Sequence, residues 1–129
     1  MEYFLHKNLG KMEMEKAIEH FTEVAKKHGF GVLTDLNAKE IFKKKLDKDF
    51  REYRMLGICN PHLAFRALSS ESSVGVFLPC GVSVTVNDAE EVEVFLMDPD
   101  AAMQMIDNEE IRKVGAEAKE KLRNIVAEL

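Results

Sequence analysis

Two stretches of the chain repeat their apolar residues at intervals of three and four, which is the spacing of an amphipathic helix. The first runs from Lys11 to His28 and is followed by Gly29, a residue that can end a helix in the left-handed conformation. The second occupies approximately residues 109–127. The positions expected to be buried on these two helices are Met14, Ala17, Ile18, Phe21, Val24, Ala25, Ile111, Val114, Ala118, Leu122 and Ile125.

A second pattern, in which apolar and polar residues alternate, predicts β-strands. The alternation is clearest in residues 74–86, where Cys80 shares a face with the valines. Pro79 and Gly81 flank Cys80, so we expect this strand to bend there or to lie near a sheet edge. It is expected to form a hairpin with the strand that follows it. The predicted strands are residues 3–8, 30–34, 51–59, 74–86 and 92–97.

Three shorter helices are predicted by residues that favour a helix start. Asn37, with Glu40 three residues later, resembles a capping box, and Asn60 and Asp98 each precede a proline that suits the first helical position. The apolar positions of these helices are Ile41, Phe42 and Leu46, then Leu63, Ala64, Ala67 and Leu68, then Ala102, Met103 and Ile106. Together the elements predict an α+β fold, a mainly antiparallel sheet with helices packed on it, in a single domain spanning residues 1–129.

The balance of charge limits the partners of this chain. It has 129 residues with 18 Lys and Arg against 23 Asp and Glu, and the resulting charge of −5 gives no general attraction to phosphate backbones. The run Lys43–Lys45 is interpreted as a solvated helix face. No stretch reaches the ~18–20 apolar residues of a membrane span, and the first residues lack the pattern of a secretory signal. We therefore expect a cytoplasmic protein with no nucleic-acid partner and no membrane partner.

The strongest chemical candidates are the two cysteines, Cys59 and Cys80. Cys59 lies directly ahead of the helix start at Asn60, where the helix dipole and free amide N–H groups favour a thiolate. His62 is its nearest candidate neighbour. Taken alone, each cysteine is interpreted as a small residue of the core, because free cysteines are among the most buried residues. If the fold brings the thiols together, they could form a dithiol pair or bind a soft metal ion such as copper(I) or zinc, although no four-ligand zinc spacing is present.

Four blocks of sequence resemble a known family: "FGVLT" at 30–34, "YRMLGICNPHLAFRAL" at 53–68, "VGVFLPCGVSV" at 74–84 and "MDP" at 97–99. On these blocks the chain resembles the bacterial and archaeal family called "domain of unknown function 302". Gly81 departs from the family pattern, which often has Asn after the second cysteine. The resemblance implies an α+β domain similar to the TATA-box-binding-protein fold. It implies no established reaction, and the similarity of fold supports no inference of DNA binding.

Three functions remain open at this point. We favour a non-enzymatic cytoplasmic binding or sensing module, acting as a homodimer, whose crevice at Cys59, Asn60, His62 and Cys80 takes a small ligand or a soft metal ion. The first alternative is a thiol-redox enzyme with Cys59 as nucleophile and Cys80 as resolving thiol. The second is a structural interaction domain with both cysteines in its core. The sequence identifies no cofactor.

Overall fold

The chain folds into one five-stranded sheet and a set of helices, as described for residues 2–129 by a computed structural model. Its elements, in chain order, are β1 (Phe4–Gly10), α1 (Met14–Lys27), β2 (Gly31–Asn37), α2 (Ala38–Leu46), β3 (Tyr53–Cys59), α3 (Pro61–Ser70), a 3-10 helix (Ser72–Phe77), β4 (Cys80–Val86), β5 (Val92–Met97), α4 (Pro99–Met103) and α5 (Glu109–Glu128). The strands lie in the spatial order β1-β5-β4-β3-β2, and every neighbouring pair is antiparallel. The predicted α+β fold is confirmed.

The two long helices, α1 and α5, pack on one face of the sheet. Helix α1 contacts β2 and β4, and α5 contacts β1. Every apolar position predicted for these helices is buried, against sheet residues that include Leu56, Ile58, Val82, Val84, Val94 and Leu96. Full burial of one such aliphatic side chain stabilises the fold by about 1.5–3 kcal/mol. Although α5 is 20 residues long, no helix within residues 2–129 has the length and apolar character needed to cross a membrane.

The three predicted helix starts are confirmed by hydrogen bonds. The side chains of Asn37, Asn60 and Asp98 each accept a hydrogen bond from the backbone N–H three residues later, and Asp98 accepts a second from the N–H two residues later. A cap of this kind contributes about 1 kcal/mol because it satisfies N–H groups that have no partner within the helix. After α1, Gly29 has the left-handed backbone (φ +84°) expected of a helix stop.

The strand predicted over residues 74–86 is wrong in its first half. Strand β4 begins only at Cys80, and Ser72–Phe77 form the 3-10 helix. Cys80 is already paired with Ile58, next to the last residue of β3, so only Cys59 of β3 remains opposite the residues before Cys80. The 3-10 helix satisfies their backbone groups locally instead. As a result Val76 is 83% exposed.

Two of the short helices bury less apolar surface than predicted. On α2 only Ala38 is buried, while Ile41 and Leu46 are exposed. On α3, Leu68 is 44% exposed. Apolar spacing identifies a stripe on a helix, but it does not reveal whether another element of the fold covers that stripe.

One arginine, Arg54, is enclosed between α1 and the sheet and is only 12% exposed along its side chain. It donates two hydrogen bonds to Asp35 on β2, at 2.8 and 2.6 Å, and one to Glu15 on α1, at 2.5 Å. These bonds, those to Asp35 first, raise the pKa of Arg54 above its ordinary value. The cluster ties α1, β2 and β3 together. It also pairs Arg54, the positively charged residue nearest in sequence to Cys59, with two carboxylates.

Candidate functional site

The two cysteines line one crevice, enclosed by the end of β3, the start of β4 and helices α3, α4 and α5. Its volume is ≈ 30 Å³, which is room for about two water molecules. Besides Cys59, Asn60 and Cys80, the lining includes the apolar residues Phe30, Ile58, Leu63, Ala67, Leu78, Met103 and Val114. The crevice is therefore small and apolar, with thiols and one amide as its polar side-chain groups.

The pairing of β3 with β4 explains why the two cysteines lie at the same end of the sheet. Cys80 is the register partner of Ile58, the residue directly before Cys59. Cys59 ends its strand and is partly exposed, whereas Cys80 begins its strand and is only 7% exposed. Both thiols are free. The two motifs that stand 21 residues apart in the chain thus form neighbouring walls of the same crevice.

Burial controls the protonation of both thiols. It raises the pKa of Cys59, and burial together with the neighbouring Cys59 raises the pKa of Cys80 to about 11. A charged sulfur is disfavoured in a crevice that withholds water from it. Near neutral pH both groups are therefore protonated thiols, in contrast to the thiolate expected for Cys59 at a helix start.

Asn60 and His62 occupy different environments at the start of α3. Asn60 is buried, and its Oδ1 atom accepts a hydrogen bond from the N–H of Leu63 at 3.1 Å. Its amide nitrogen lies so close to Gly29 that a Cβ atom added there would be 2.9 Å from it. His62 is exposed on the first turn of the helix and is not among the residues that line the crevice. Of the four candidate residues, the fold thus brings Cys59, Asn60 and Cys80 together.

Comparison with known proteins identifies the family. The family described as "Domain of unknown function DUF302" matches residues 5–129. The chain belongs to the DUF302 family. A solved structure of a DUF302 protein, described as an uncharacterized conserved protein from Bacillus stearothermophilus, superposes with a TM-score of 0.88 at 25% sequence identity, covering 98% of each chain. No curated protein matches this chain.

The crevice of this DUF302 protein also depends on residues that sequence reasoning did not select. Gly115 on α5 allows α4 to approach, since a Cβ atom there would lie 2.8 Å from the Cβ of Met103 and 3.1 Å from the carbonyl oxygen of Pro99. Met103 lines the crevice and is 2% exposed. The sequence indicated Met103 only as an apolar position of its helix, and no signal in the sequence identified Gly115.

A salt bridge fastens α4 to α5 beside this DUF302 crevice. The Asp98 carboxylate, which caps α4, lies 2.9 Å from the ammonium group of Lys119. Burial opposes ionisation of Asp98, yet hydrogen bonds from Lys119 and from the backbone N–H groups of Ala101 and Asp100 hold its pKa below the ordinary value. The helices that enclose the crevice are thus held by packing and by an ion pair.

The donor set limits which metal ions the DUF302 crevice could bind. Within residues 2–129, no group of three or more His, Cys, Asp or Glu side chains is placed to hold a metal ion. Cys59 and Cys80 therefore offer at most a two-thiolate site. Such a site suits a soft ion and does not provide the four ligands of structural zinc.

Alkaline pH is expected to destabilise the folded protein through Cys80. Its pKa is about 11 in the fold and 9.0 ordinarily, so its contribution to stability is complete below pH 9 and is lost as the pH rises through 11. The shift corresponds to about 2–3 kcal/mol. Urea unfolding measured across this pH range should show the decline, and Cys80→Ala should decline less steeply because the titrating group is gone. Parallel declines in the two proteins would contradict this account.

Proposed function

We propose that this DUF302 protein is a small binding or sensing module whose ligand occupies the crevice between Cys59 and Cys80. The observation that carries the proposal is the convergence of two free thiols on one small apolar crevice. Both thiols are placed at strand ends, and the crevice between them is enclosed by packed helices. A pair of soft donors held on a rigid scaffold is suited to selective binding.

The size of the crevice and the chemistry of its thiols favour a soft metal ion over an organic molecule. Pockets for drug-sized ligands measure roughly 300–1,000 Å³, whereas this crevice measures ≈ 30 Å³. Thiolates favour ions such as copper(I). On binding, the ion would replace the thiol protons of Cys59 and Cys80, and one proton would leave each sulfur for solvent. Asn60 would contribute by fixing the start of α3, and His62 is left out of the proposed site.

The thiol-redox enzyme remains the alternative, and the protonation of the cysteines argues against it. A nucleophilic cysteine reacts as its thiolate, and burial raises the pKa of both Cys59 and Cys80. A structural interaction domain, the second alternative, would bind nothing in the crevice. We also propose that the protein works in the cytoplasm, because two free thiols suit a reducing compartment.

Copper(I) competition tests the proposed site. Reduced protein is titrated anaerobically against copper(I) held by a coloured chelator, and we expect the wild-type chain to take up one ion. Cys59→Ser and Cys80→Ser should each weaken binding by roughly 100-fold, because a serine hydroxyl is a poor ligand for a soft ion. Native mass spectrometry of protein taken from cells would report the bound ion directly.

Met105 supplies the control for this titration. Met105 is 73% exposed and does not line the crevice, so Met105→Leu removes a surface sulfur without altering the site. We expect this variant to bind copper(I) as the wild type does. A wild-type protein that cannot remove copper(I) from the chelator would contradict the metal proposal. So would uptake that survives both serine substitutions.

A further inference from the structure

The sheet face opposite α1 and α5 presents several large apolar side chains, together with polar residues such as Asn8, Thr34 and Glu93. Because register partners in an antiparallel sheet share a face, the pairs Leu36–Met55, Met55–Ser83, Ser83–Phe95 and His6–Phe95 place one row of side chains across all five strands. We call this surface the open face; it comprises Phe4, His6, Leu36, Tyr53, Met55, Ser83 and Phe95. Leu36 is 51% exposed and Met55 39%, which is costly for side chains of this kind in water.

The open face has a hollow on one side. Tyr3, Phe4, Tyr53, Ser83 and Phe95 line this hollow, which has a volume of ≈ 400 Å³. Phe4 and Phe95 meet edge to face with ring centroids 5.3 Å apart, and Tyr53 donates a hydrogen bond of 3.0 Å to the Ser83 hydroxyl. The walls of the hollow are therefore braced by contacts among themselves.

The other side of the open face carries a ridge. It is formed by Leu36 on β2 and its register partner Met55 on β3. Phe50 follows α2 and packs edge to face against Phe42. The hollow is centred towards β1 and β5, and its far wall is Tyr53 of β3, which reaches Ser83 on β4. The ridge lies beyond that wall, towards β2.

We infer that the open face binds a second copy of this chain, related to the first by a two-fold axis along β4. That axis exchanges the two sides of the face, so the ridge of each copy enters the hollow of the other. One surface with its ridge on one side and the centre of its hollow towards the other is self-complementary in the way a two-fold interface requires. This inference does not depend on what the thiol crevice binds.

The size of the open face agrees with a stable dimer. Five strands at a spacing of ~4.8 Å, each about seven residues long at ~3.3 Å per residue, form a flat area of roughly 550 Å². The relief of the ridge and hollow, together with α2 and Tyr3, enlarges the accessible area beyond that figure. A standard stable interface buries about 800 Å² on each partner, so the open face is of the right order.

The charges at its margins are complementary under the same axis. Glu91 and Glu93 lie near the hollow side, where Glu93 meets His6 at 2.9 Å. On the ridge side, α2 carries Lys44 and Lys45, while Lys43 is paired with Asp47 and Asp49 of its own copy. A two-fold axis along β4 keeps the level along the strands and exchanges the sides. It therefore moves the lysines of one copy towards the glutamates of the other, which favours this orientation.

Sedimentation of the whole chain tests the inference. We expect a dimer for the wild type at micromolar concentration. Leu36→Lys and Met55→Lys should each raise the dissociation constant by at least ~30-fold, because each would bury a charge at the centre of the interface. Both side chains are already partly exposed in one copy, so a lysine at either position leaves the isolated fold intact, which circular dichroism would confirm.

Val76→Lys is the matched control, because Val76 is also an exposed apolar residue (83%) but lies on the 3-10 helix away from the open face. It should leave the dimer unchanged. A monomeric wild type would overturn the inference, and so would a dimer that survives both lysine substitutions or separates with Val76→Lys.

Tyrosine fluorescence gives a second measurement that needs no variant. The chain has two tyrosines and no tryptophan, and both Tyr3 and Tyr53 line the hollow. If the second copy covers the hollow, quenching of tyrosine emission by acrylamide should rise as the protein is diluted through its dissociation constant. Quenching that does not change with concentration, in a protein that sediments as a dimer, would place the interface elsewhere and overturn the inference.

Discussion

Cys59 is expected to react with a thiol probe at least ~10-fold faster than Cys80 in the native protein. Cys59 ends a strand and is partly exposed, whereas Cys80 is 7% exposed and has a pKa of about 11. Low accessibility and a small thiolate fraction act in the same direction on Cys80. A time course of iodoacetamide labelling, followed by peptide mass spectrometry, measures both rates in one sample.

Labelling in denaturant supplies the control, since the two thiols should then react at similar rates.

The substitution Cys59→Ser tests whether Cys59 borders the crevice or belongs to the core. If Cys59 only borders the crevice, Cys59→Ser should remove the rapid labelling phase and leave the free energy of unfolding nearly unchanged. If Cys59 is a core residue, Cys59→Ser should lower the free energy of unfolding by about 1–3 kcal/mol, because a hydroxyl would be buried without a partner. Slow labelling of both native cysteines, with clear destabilisation by Cys59→Ser, would contradict the functional interpretation of the crevice.

The parts of the fold that could be predicted from sequence are those determined by local physics. The stripes of α1 and α5 were predicted residue by residue, because a helix that must bury one face repeats its apolar residues at the helical period. The caps at Asn37, Asn60 and Asp98 depend on hydrogen bonds within three residues, which the sequence displays directly.

Features that depend on distant partners could not be predicted in this way. The alternation before Cys80 resembles a strand, but β3 ends opposite it, and only the pairing register reveals that no partner remains. The crevice has the same origin. Its cysteines were identified from their motifs, yet Met103 and Gly115 reach it through the packing of α4 on α5, which no local pattern encodes.

The thiol chemistry was the least predictable part of the candidate site. A helix start ahead of Asn60 suggested a thiolate at Cys59, and the cap itself is present. Burial, which raises the pKa, depends on Phe30, Leu63 and the other lining residues that come from several elements. Sequence position therefore identified the reactive group but not the environment that determines its charge.

Gly57→Ala is expected to destabilise the protein by about 1–3 kcal/mol and to expose Cys80. Gly57 lies on β3 where a Cβ atom would be 2.5 Å from Oγ1 of Thr34 and 2.6 Å from Cγ of Pro79. The proline ring is rigid, so the added methyl group must displace it. Because Pro79 directly precedes Cys80, its displacement should shift the start of β4, where Cys80 lines the crevice. Urea unfolding measures the first effect, and the labelling rate of Cys80 measures the second.

Gly81→Ala is a closely matched control, because Gly81 is the register partner of Gly57 on β4 and a Cβ atom there would meet nothing within 4 Å. Its φ is not positive, so alanine fits the backbone, and we expect a change within about 1 kcal/mol, towards higher stability. The two variants add the same methyl group to paired positions, and any difference between them therefore reports the contact with Thr34 and Pro79. Equal effects of the two substitutions on stability and on Cys80 labelling would refute the view that the contact of Pro79 with Gly57 holds the start of β4, and with it Cys80, in place.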